Sequence, residues 1–489
     1  MKVLKHIFIC GLCLFTASCG NDWLNMEPST SIKNEDGYQQ IGDIEYALNG
    51  IYNIMQNAYA YSGRLVYYGD VTGDDMQAVS STKRTGSYYL FAYTKDNAPS
   101  THWSYLYSII GQCNYILADV DRLVDAEKNK ESFDENKPVW DDWKGQALAL
   151  RGMALFDLTR IFGYPYKKDN GASLGVPIIK QVLAIQDKPA RGTVAECYAQ
   201  IIADLEDGTT LLAGDFNKGK INKWAALTLL SRVYLYKGDD AKALEKAEAA
   251  IGGAENEKYA LWTNAEYPTA WSNDASSSKP GEVLFEIVNT NTDGAGNESM
   301  GYLSSSDGYD DLCITSSFYA LLLQDPNDVR LKLLSFDGTK YAYVFKYQPQ
   351  DGENIEDANI PLIRLSEAYL NAAEAAQKLV DNDKAVKFLD PIVKRANPAK
   401  TVTGQQITHE RILTERRKEL VCEGHRMYDA LRDGGKATRS DVANNKIKST
   451  KHLSGTYEKE YDWDWYKVVL PIPKAEIDTN PNIKQNPDY

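Results

Sequence analysis

The stretch WAALTLLSRVYLYKGDDAKALEKAEAAI, residues 224–251, carries the pattern that decides the fold. Its apolar and small residues recur at the spacing of a tetratricopeptide unit, in which two antiparallel helices pack around a short turn. These residues are Leu227, Leu230, Ser231, Tyr234, Gly238, Ala243, Ala247 and Ala250. Because small side chains let two helices approach closely, the stretch predicts a helix-turn-helix pair.

A second copy of this pattern lies closer to the C-terminus. It consists of Tyr369, Ala372, Ala373, Ala376, Ala385 and Leu389. Its turn falls at residues 381–383, and the two copies are too far apart to be tandem repeats. The sequence therefore predicts a helical scaffold with long insertions, mainly at residues 59–102, 164–192 and 253–360. A scaffold with variable loops is a common way to build a binding surface.

Periodicity outside these units completes the fold prediction. Apolar residues at helical spacing predict helices from Ile44 to Met55, from about 103 to 123 and from about 142 to 162. Clusters of β-forming residues at 283–288 and 341–347 predict short strands or hairpins. The predicted fold class is mainly α, a tetratricopeptide-like scaffold with long loop insertions and a few short β-hairpins.

The N-terminus has the features of an export signal. Two lysines precede an apolar run at residues 7–15, which suits a secretory signal and is too short to cross a bilayer. The run ends in TASC at residues 16–19, where small residues precede a cysteine as signal peptidase II requires. We predict a lipoprotein signal peptide over residues 1–18 and lipidation of Cys19. An ordinary cleaved signal with a free Cys19 is the alternative.

The net charge of the chain makes some classes of binding partner unfavourable. The chain has 54 basic and 68 acidic residues, and removal of residues 1–18 takes away two lysines, which leaves 52 − 68 = −16. Such a charge disfavours nucleic acid and anionic phospholipid. It is compatible with neutral ligands, with cations or simply with solubility, so charge alone selects no substrate.

Four cysteines remain beyond Cys19. They are Cys113, Cys197, Cys313 and Cys422. Their wide separation gives no metal or redox motif, and each lies in an apolar or helical context. We predict buried thiols rather than disulfides, although an exported protein permits bridges.

Charged residues near the C-terminus predict structure rather than catalysis. Glu415, Glu419 and Glu423 recur every four residues on one predicted helix face. Arginines follow nearby at positions 416, 426 and 432. Like charges at this spacing need cations between them, so we predict an ion network that holds the C-terminal helix. A pair of catalytic carboxylates is the alternative interpretation.

The sequence predicts no cofactor and no metal site. The dipeptide HE at 409–410 lacks the second histidine of a zincin helix, and we find neither a Gly-rich phosphate loop nor a nucleophile elbow. The acidic residues within 307–311, which include Asp310 and Asp311, and the group of Asp70 with the acids at 74–75 could bind calcium, but neither group has the spacing of a known loop. We interpret them as solvated loop acids.

Tyrosine is the most informative residue type for function. The chain has 32 tyrosines, many of them in the insertions. A flat ring packs on the C–H face of a pyranose, hydroxyls need polar partners at the rim, and a ring has little rotamer freedom to lose. The predicted glycan contacts are Tyr67, Tyr68, Asp74, Arg84, Tyr88, Tyr89, Trp271, Tyr302 and Tyr309. Ordinary packing is the alternative for each, and we assign Trp103 to the core.

Three blocks of sequence carry a family signal. They are QALALRGMALFDLTRIFG at 146–163, ERRKELVCEGHRMYDALR at 415–432, and LPIPKAEI at 470–477 followed by QNPDY at 485–489. These blocks, occurring together and in this order, resemble the sequence motifs of the SusD/RagB family of outer-membrane nutrient-binding lipoproteins. That resemblance implies four tetratricopeptide-like units, a lid-like seat on a SusC-type TonB-dependent transporter, and capture of oligosaccharides.

The resemblance also divides the chain and suggests its role. We expect a single domain over residues 19–489, with an N-terminal SusD-like part at about 19–236 and a C-terminal SusD/RagB part at about 280–489. We predict a lipid-anchored outer-membrane protein that faces the cell exterior, is not an enzyme and passes glycans to a SusC-like transporter. A RagB-like peptide receptor, a lipid-anchored glycosidase and a tetratricopeptide assembly scaffold are the alternatives.

Overall fold

The computed structural model describes residues 37–214, 217–272, 281–338, 341–350, 354–442, 452–453 and 459–489, so the predicted signal peptide and Cys19 lie outside the described residues. The helices are α1 (Asp43–Gln56), α2 (Arg64–Val71), α3 (Gly86–Tyr89), α4 (Thr101–Glu127), α5 (Phe133–Phe162), α6 (Val194–Leu211), α7 (Lys223–Lys237), α8 (Asp240–Asn256), α9 (Met300–Leu303), α10 (Ser316–Leu322), α11 (Leu365–Lys378), α12 (Asn382–Ala396), α13 (His409–Leu420), α14 (Arg426–Leu431) and α15 (Lys474–Thr479). The strands are β1 (Met76–Ala78), β2 (Val283–Ile287), β3 (Leu312–Ile314), β4 (Leu334–Asp337), β5 (Tyr341–Val344), β6 (Ile360–Arg364), β7 (Ala437–Thr438) and β8 (Glu460–Tyr461). Among the helices of these ranges, none combines the length and the apolar character that crossing a membrane requires.

Both predicted tetratricopeptide units are present as helix pairs, α7 with α8 and α11 with α12. The Asn222 side chain caps the start of α7 by accepting a hydrogen bond from the Ala225 N–H at 3.0 Å. Gly238 ends α7 with a φ of 87°, a left-handed conformation that glycine adopts without strain. Asp239 then caps α8, and Asp381 caps α12 in the same way. The repeat prediction is confirmed.

The other predicted helices are also present, and α5 is longer than the sequence indicated. It begins at Phe133 rather than near residue 142. Its first turns are largely exposed and polar, so they add no apolar stripe that periodicity could detect. Trp103 is buried on α4, as predicted.

The strands pair across long stretches of sequence and tie the insertions to the helices. β2 pairs with β6, which leads directly into α11, and β4 with β5 forms a hairpin. These pairs confirm the two predicted strand regions. β1 pairs with β3 in antiparallel fashion and so joins the insertion at 59–102 to the one at 253–360.

The four cysteines beyond Cys19 are all free and buried, which confirms the prediction made for them. Burial raises the pKa of the Cys113 and Cys313 thiols well above the usual range. A neutral thiol is a poor nucleophile, so these side chains act as small apolar core residues.

An ion network joins α13 to the strands, as predicted, but its cations are different ones. The Glu419 carboxylate contacts Arg364 at 3.0 Å, Arg395 at 2.7 Å and Arg330 at 3.5 Å. Glu423 pairs with Arg364 at 2.7 Å and follows the end of α13, so its placement on the helix face was wrong. The arginines at 416, 426 and 432 instead pair with Asp429, Asp74 and Glu374, respectively.

Candidate functional site

Two insertions meet next to the pairing of β1 with β3. Past the end of β1, the Val79 N–H donates to the Asp311 carbonyl at 3.1 Å, and the Thr85 hydroxyl donates to the same oxygen at 2.7 Å. These bonds fix the loop that carries Arg84 against the segment that carries Tyr309. The sequence predicted both residues as glycan contacts, and the strand pairing brings them together.

Arg84 is the centre of the site. Its guanidinium donates two parallel hydrogen bonds to Glu298, from Nε at 2.7 Å and from Nη2 at 2.6 Å, while Nη1 donates to Asp311 at 3.2 Å. The hydrogen bonds to Glu298, more than any other cause, raise the pKa of Arg84, and the two carboxylates fix its orientation. The Asp311 side chain is buried, so the interpretation of this residue as a solvated acid was wrong.

Two predicted tyrosines form an aromatic pair beside Arg84. The rings of Tyr302 and Tyr309 lie 4.9 Å apart at an interplanar angle of 85°. The Arg84 Cζ lies 4.2 Å from the centroid of the Tyr309 ring, within the range of a cation-π contact. Tyr309 is 36% exposed. An aromatic ring that protein contacts hold in place and that keeps part of its surface exposed is suited to stacking against a ligand.

Another exposed tyrosine, Tyr59, lies on a segment close to this pair, and the sequence did not single it out. The Arg64 Cζ lies 4.1 Å from the centroid of the exposed Tyr59 ring. A Cβ placed on Gly63 would lie 3.0 Å from the Glu298 carbonyl oxygen, so the two segments are in close contact. Tyr59 opens a predicted insertion, but nothing in its sequence context ranks it above the other tyrosines there. We call Tyr59, Arg64, Arg84, Glu298, Tyr302 and Tyr309 the tyrosine-arginine surface.

Four other predicted contacts are buried in the core. The Tyr67 and Tyr68 rings pack against the Tyr88 ring with centroid distances of 5.9 and 5.5 Å. Tyr89 is buried as well and bonds His452 through its hydroxyl. Every residue of α2 after its first is buried, Tyr67 and Tyr68 among them, and Tyr88 and Tyr89 are buried on α3. A ligand in solvent therefore cannot reach these four rings in this structure.

Trp271 is buried in a separate apolar cluster. It packs with Trp262 and Tyr267, with ring centroids 5.0 and 5.6 Å away. The Arg364 Cζ lies 4.7 Å from its ring centroid. The sequence predicted Trp271 as a glycan contact, but the fold places it in the core beside the ion network.

Asp74 and Asp75 form buried ion pairs, and the nearby Asp70 is buried without one in the part of the chain that the structure describes. Asp74 accepts from Arg426 at 2.5 Å, and although burial raises its pKa, Arg426 lowers it to about 2. Asp75 pairs with Arg417, and Asp70 is buried on α2. The interpretation of these three acids as solvated was therefore wrong. Their carboxylates are bound by the protein itself, which leaves Asp74 a structural role.

One cluster has the composition of a metal site. Ligand atoms of Glu374, His409 and Asp433 lie within 4.8 Å of one another. The Lys378 Nζ lies 3.0 Å from Glu374 and 2.7 Å from Asp433, and Arg432 binds Glu374 at 2.6 Å. Positive side chains already neutralise these carboxylates, so ion pairing accounts for the cluster.

A separate groove of about 520 Å³ lies between α4, the segment 177–189 and α15. Its lining includes the exposed side chains of Tyr115, Leu183 and Ile185. Tyr115 is 39% exposed, close to the value for Tyr309. The groove contains none of the predicted glycan contacts, and its tyrosine offers a matched control for experiments on Tyr309.

Comparison with known families identifies two parts of the chain. A family model described as "Starch-binding associating with outer membrane" matches residues 22–235. A second, described as "SusD family", matches residues 336–489. The two matches lie in the N-terminal and C-terminal parts of the chain, and the first associates the family with the outer membrane.

Solved structures with the same fold agree with these matches. A putative sugar binding protein from Bacteroides vulgatus is 66% identical, with a TM-score of 0.89, over 93% of this chain and 99% of that one. A SusD superfamily protein from the same organism is 36% identical, with a TM-score of 0.84, over 92% and 100%. A laminarin-binding SusD-like protein, 21% identical with a TM-score of 0.69 over 92% and 100%, shares the fold.

Proposed function

This chain belongs to the SusD family, and from that membership we propose that it captures oligosaccharides at the outer membrane and passes them, chemically unchanged, to a SusC-like transporter. The observation that carries the proposal is the partly exposed Tyr309 ring, which contacts both Tyr302 and the Arg84 guanidinium. Starch and laminarin, which appear in the descriptions of the family and of one structural relative, are both glucose polymers. A glucan is therefore the first ligand to test.

The tyrosine-arginine surface offers the two kinds of contact that a sugar needs. The Tyr309 ring provides a flat apolar face for the C–H groups of a pyranose. Arg84, Arg64 and Glu298 provide donors and acceptors at its rim for hydroxyl groups. Because Glu298 and Asp311 already fix the Arg84 side chain, little conformational entropy remains to be lost when a ligand binds.

The carboxylates of this surface support binding rather than hydrolysis. A glycosidase needs one carboxyl group as general acid and a second as nucleophile or base, on either side of the scissile bond. Here Glu298 and Asp311 are bound to the same guanidinium, through 2.6 Å and 3.2 Å contacts. We therefore propose a site that holds glycans without cleaving them.

The rest of the proposal concerns attachment and handover. A lipid on Cys19 would anchor a single domain over residues 19–489 to the outer membrane, facing the cell exterior. The N-terminal part at about 19–236 and the C-terminal part at about 280–489 would together form the body that sits on the transporter. Co-purification of the transporter with the full-length protein from outer-membrane extracts tests the partnership.

Replacing Tyr309 with alanine tests the site itself. We expect binding of laminarin oligosaccharides or maltoheptaose to weaken about tenfold, because the variant loses the stacking face, and a tenfold change corresponds to about 1.4 kcal/mol. Isothermal titration with the wild type, Tyr309→Ala and Tyr115→Ala gives the measurement. Tyr115→Ala removes an equally exposed tyrosine from the groove near α4, and we expect it to bind like the wild type.

Three results would contradict the proposal. Loss of binding in Tyr115→Ala, with Tyr309→Ala unchanged, would place the ligand in the groove. Binding of peptides, with no glycan bound, would favour the RagB-like alternative. Release of smaller sugars during incubation would indicate a glycosidase.

A further inference from the structure

We infer that the proposed glycan site continues into a polar pocket beside the end of α1, so that the preferred ligand is an extended oligosaccharide. The inference rests on the proposed function. The pocket has a volume of about 230 Å³. Its lining includes Asn49, Tyr52, Asn53, Gln56, Lys220, Thr290 and Asp293. We call it the α1 pocket.

The α1 pocket and the tyrosine-arginine surface are built on the same two segments. At the pocket end, the Gln56 side-chain amide donates to the carbonyls of Val288 at 2.8 Å and Asp293 at 2.9 Å. Further along, the Met300 N–H donates to the Ser62 carbonyl at 2.8 Å. The segment 56–64 therefore runs beside the segment 288–300, with the pocket at one end and the surface at the other.

Chain geometry limits the distance between the two sites. Consecutive Cα atoms are 3.80 Å apart, so the Cα atoms of Gln56 and Tyr59 lie at most about 11 Å from each other. By the same rule, those of Asp293 and Glu298 are separated by no more than about 19 Å. Gln56 and Asp293 line the pocket, while Tyr59 and Glu298 belong to the surface. A short oligosaccharide is long enough to contact both.

The lining of the pocket suits neutral sugar hydroxyls. Asn49 and Asn53 are exposed and lie four residues apart on α1, so they point to one side of the helix. Each amide both donates and accepts hydrogen bonds, as a hydroxyl group does. Both N–H groups of the buried Gln56 amide are used, while its Oε1 accepts no hydrogen bond from the residues that the structure describes.

Two further contacts order the pocket wall and pair its lysine. The Tyr52 hydroxyl donates to Gln146 at 2.7 Å and accepts from the Ile221 N–H at 3.1 Å, which fixes the ring in the pocket wall. The Lys220 ammonium lies 3.8 Å from the Glu45 carboxylate. Because the lysine is already paired and the acidic residues Glu286 and Asp293 also line the pocket, it favours a neutral glycan over an anionic one.

The experiment compares affinity with chain length. Laminarin oligosaccharides and maltooligosaccharides of two to seven glucose units are titrated into the full-length wild type and the double variant Asn49→Ala/Asn53→Ala. We expect the longest chains to bind the wild type at least about fivefold more tightly than the shortest. In the double variant this ratio is expected to fall close to one, with affinity for the shortest chains unchanged.

Asn256→Ala is the matched control, since it removes an exposed asparagine from the end of α8, outside the α1 pocket. Thermal unfolding of each variant checks that the fold is retained. Unchanged length dependence in the double variant, with binding still lost in Tyr309→Ala, would overturn this inference and leave the proposed function standing. If neither glucan series binds the wild type, the proposed function and the inference both fail for these sugars.

Discussion

Replacing Arg364 with methionine is expected to lower the free energy of unfolding by about 3–5 kcal/mol, because removal of one partner leaves buried carboxylates uncompensated. Arg364 is 1% exposed. It binds Glu282 through Nη1, Glu419 at 3.0 Å and Glu423 at 2.7 Å. Methionine fills much of the volume, so the effect isolates the loss of charge and hydrogen bonds from the loss of packing.

The matched control for this prediction is Arg411→Met. Arg411 also pairs with a glutamate of α13, Glu415, at 2.7 Å, but its side chain is 34% exposed. Glu415 is buried but keeps Arg330 at 2.6 Å as a second partner, so we expect the control to lose no more than about 1 kcal/mol of its free energy of unfolding. Chemical denaturation followed by circular dichroism measures all the variants.

A second variant tests whether charge causes the loss. Adding Glu282→Gln to Arg364→Met removes one of the carboxylates that the arginine neutralised. Arg395, which also binds Glu282, keeps Glu419 at 2.7 Å, so the double variant should be more stable than Arg364→Met alone. The prediction is wrong if the free energy of unfolding of Arg364→Met lies within about 1 kcal/mol of the wild-type value. In that case the remaining cations of the network are sufficient to neutralise its carboxylates.

The scaffold could be predicted from the sequence because its signals are local. The helix pairs repeat apolar and small residues at fixed spacing, and Gly238 and Asp381 mark turns within a few residues of the helices that they end or begin. The start of α5 was missed because its exposed polar turns have no apolar face. The helices with an apolar periodicity were therefore predicted, and the polar first turns of α5 were not.

The candidate site depends on contacts between distant residues, and a single sequence does not specify them. Arg84 meets Glu298 across 214 positions and Asp311 across 227. The choice between Tyr309, which is exposed, and Tyr68, which is buried, follows from how the insertions fold back on each other. A tyrosine ring suits both places, since it has an apolar face and a polar end. The amino-acid composition therefore indicated an aromatic binding surface, but the tertiary contacts determine which tyrosines are exposed on it.

The ion network shows the same limit in its choice of cations. Spacing alone indicated that Glu415, Glu419 and Glu423 need positive partners. The predicted arginines at 416, 426 and 432 pair elsewhere, and the partners of Glu419 come from three other segments of the chain, at Arg330, Arg364 and Arg395. Charge balance is predictable from composition, but pairing requires the fold.

Asp70 is expected to make the protein less stable as pH rises from about 4 to about 8. Its side chain is buried on α2 and accepts a hydrogen bond from the Gly424 N–H at 2.7 Å, while Oδ1 has no partner among the described residues. Burial raises the pKa of Asp70 from 3.8 to about 8. The folded protein therefore keeps a proton that the unfolded chain releases above pH 4, and the free energy of unfolding falls by a few kcal/mol across this range.

Asp70→Asn should remove this dependence, because the amide is neutral at every pH and keeps an oxygen for Gly424. We expect the variant to match the wild type near pH 4 and to exceed its stability increasingly toward pH 8. Asp74→Asn is the control, and we expect it to be less stable than the wild type. Because Arg426 holds the pKa of Asp74 at about 2, the loss in the free energy of unfolding should be the same at every pH between 4 and 8. Chemical denaturation at pH 4, 6 and 8 measures these differences. A constant difference between Asp70→Asn and the wild type over this range would show that Asp70 is ionised in the folded protein.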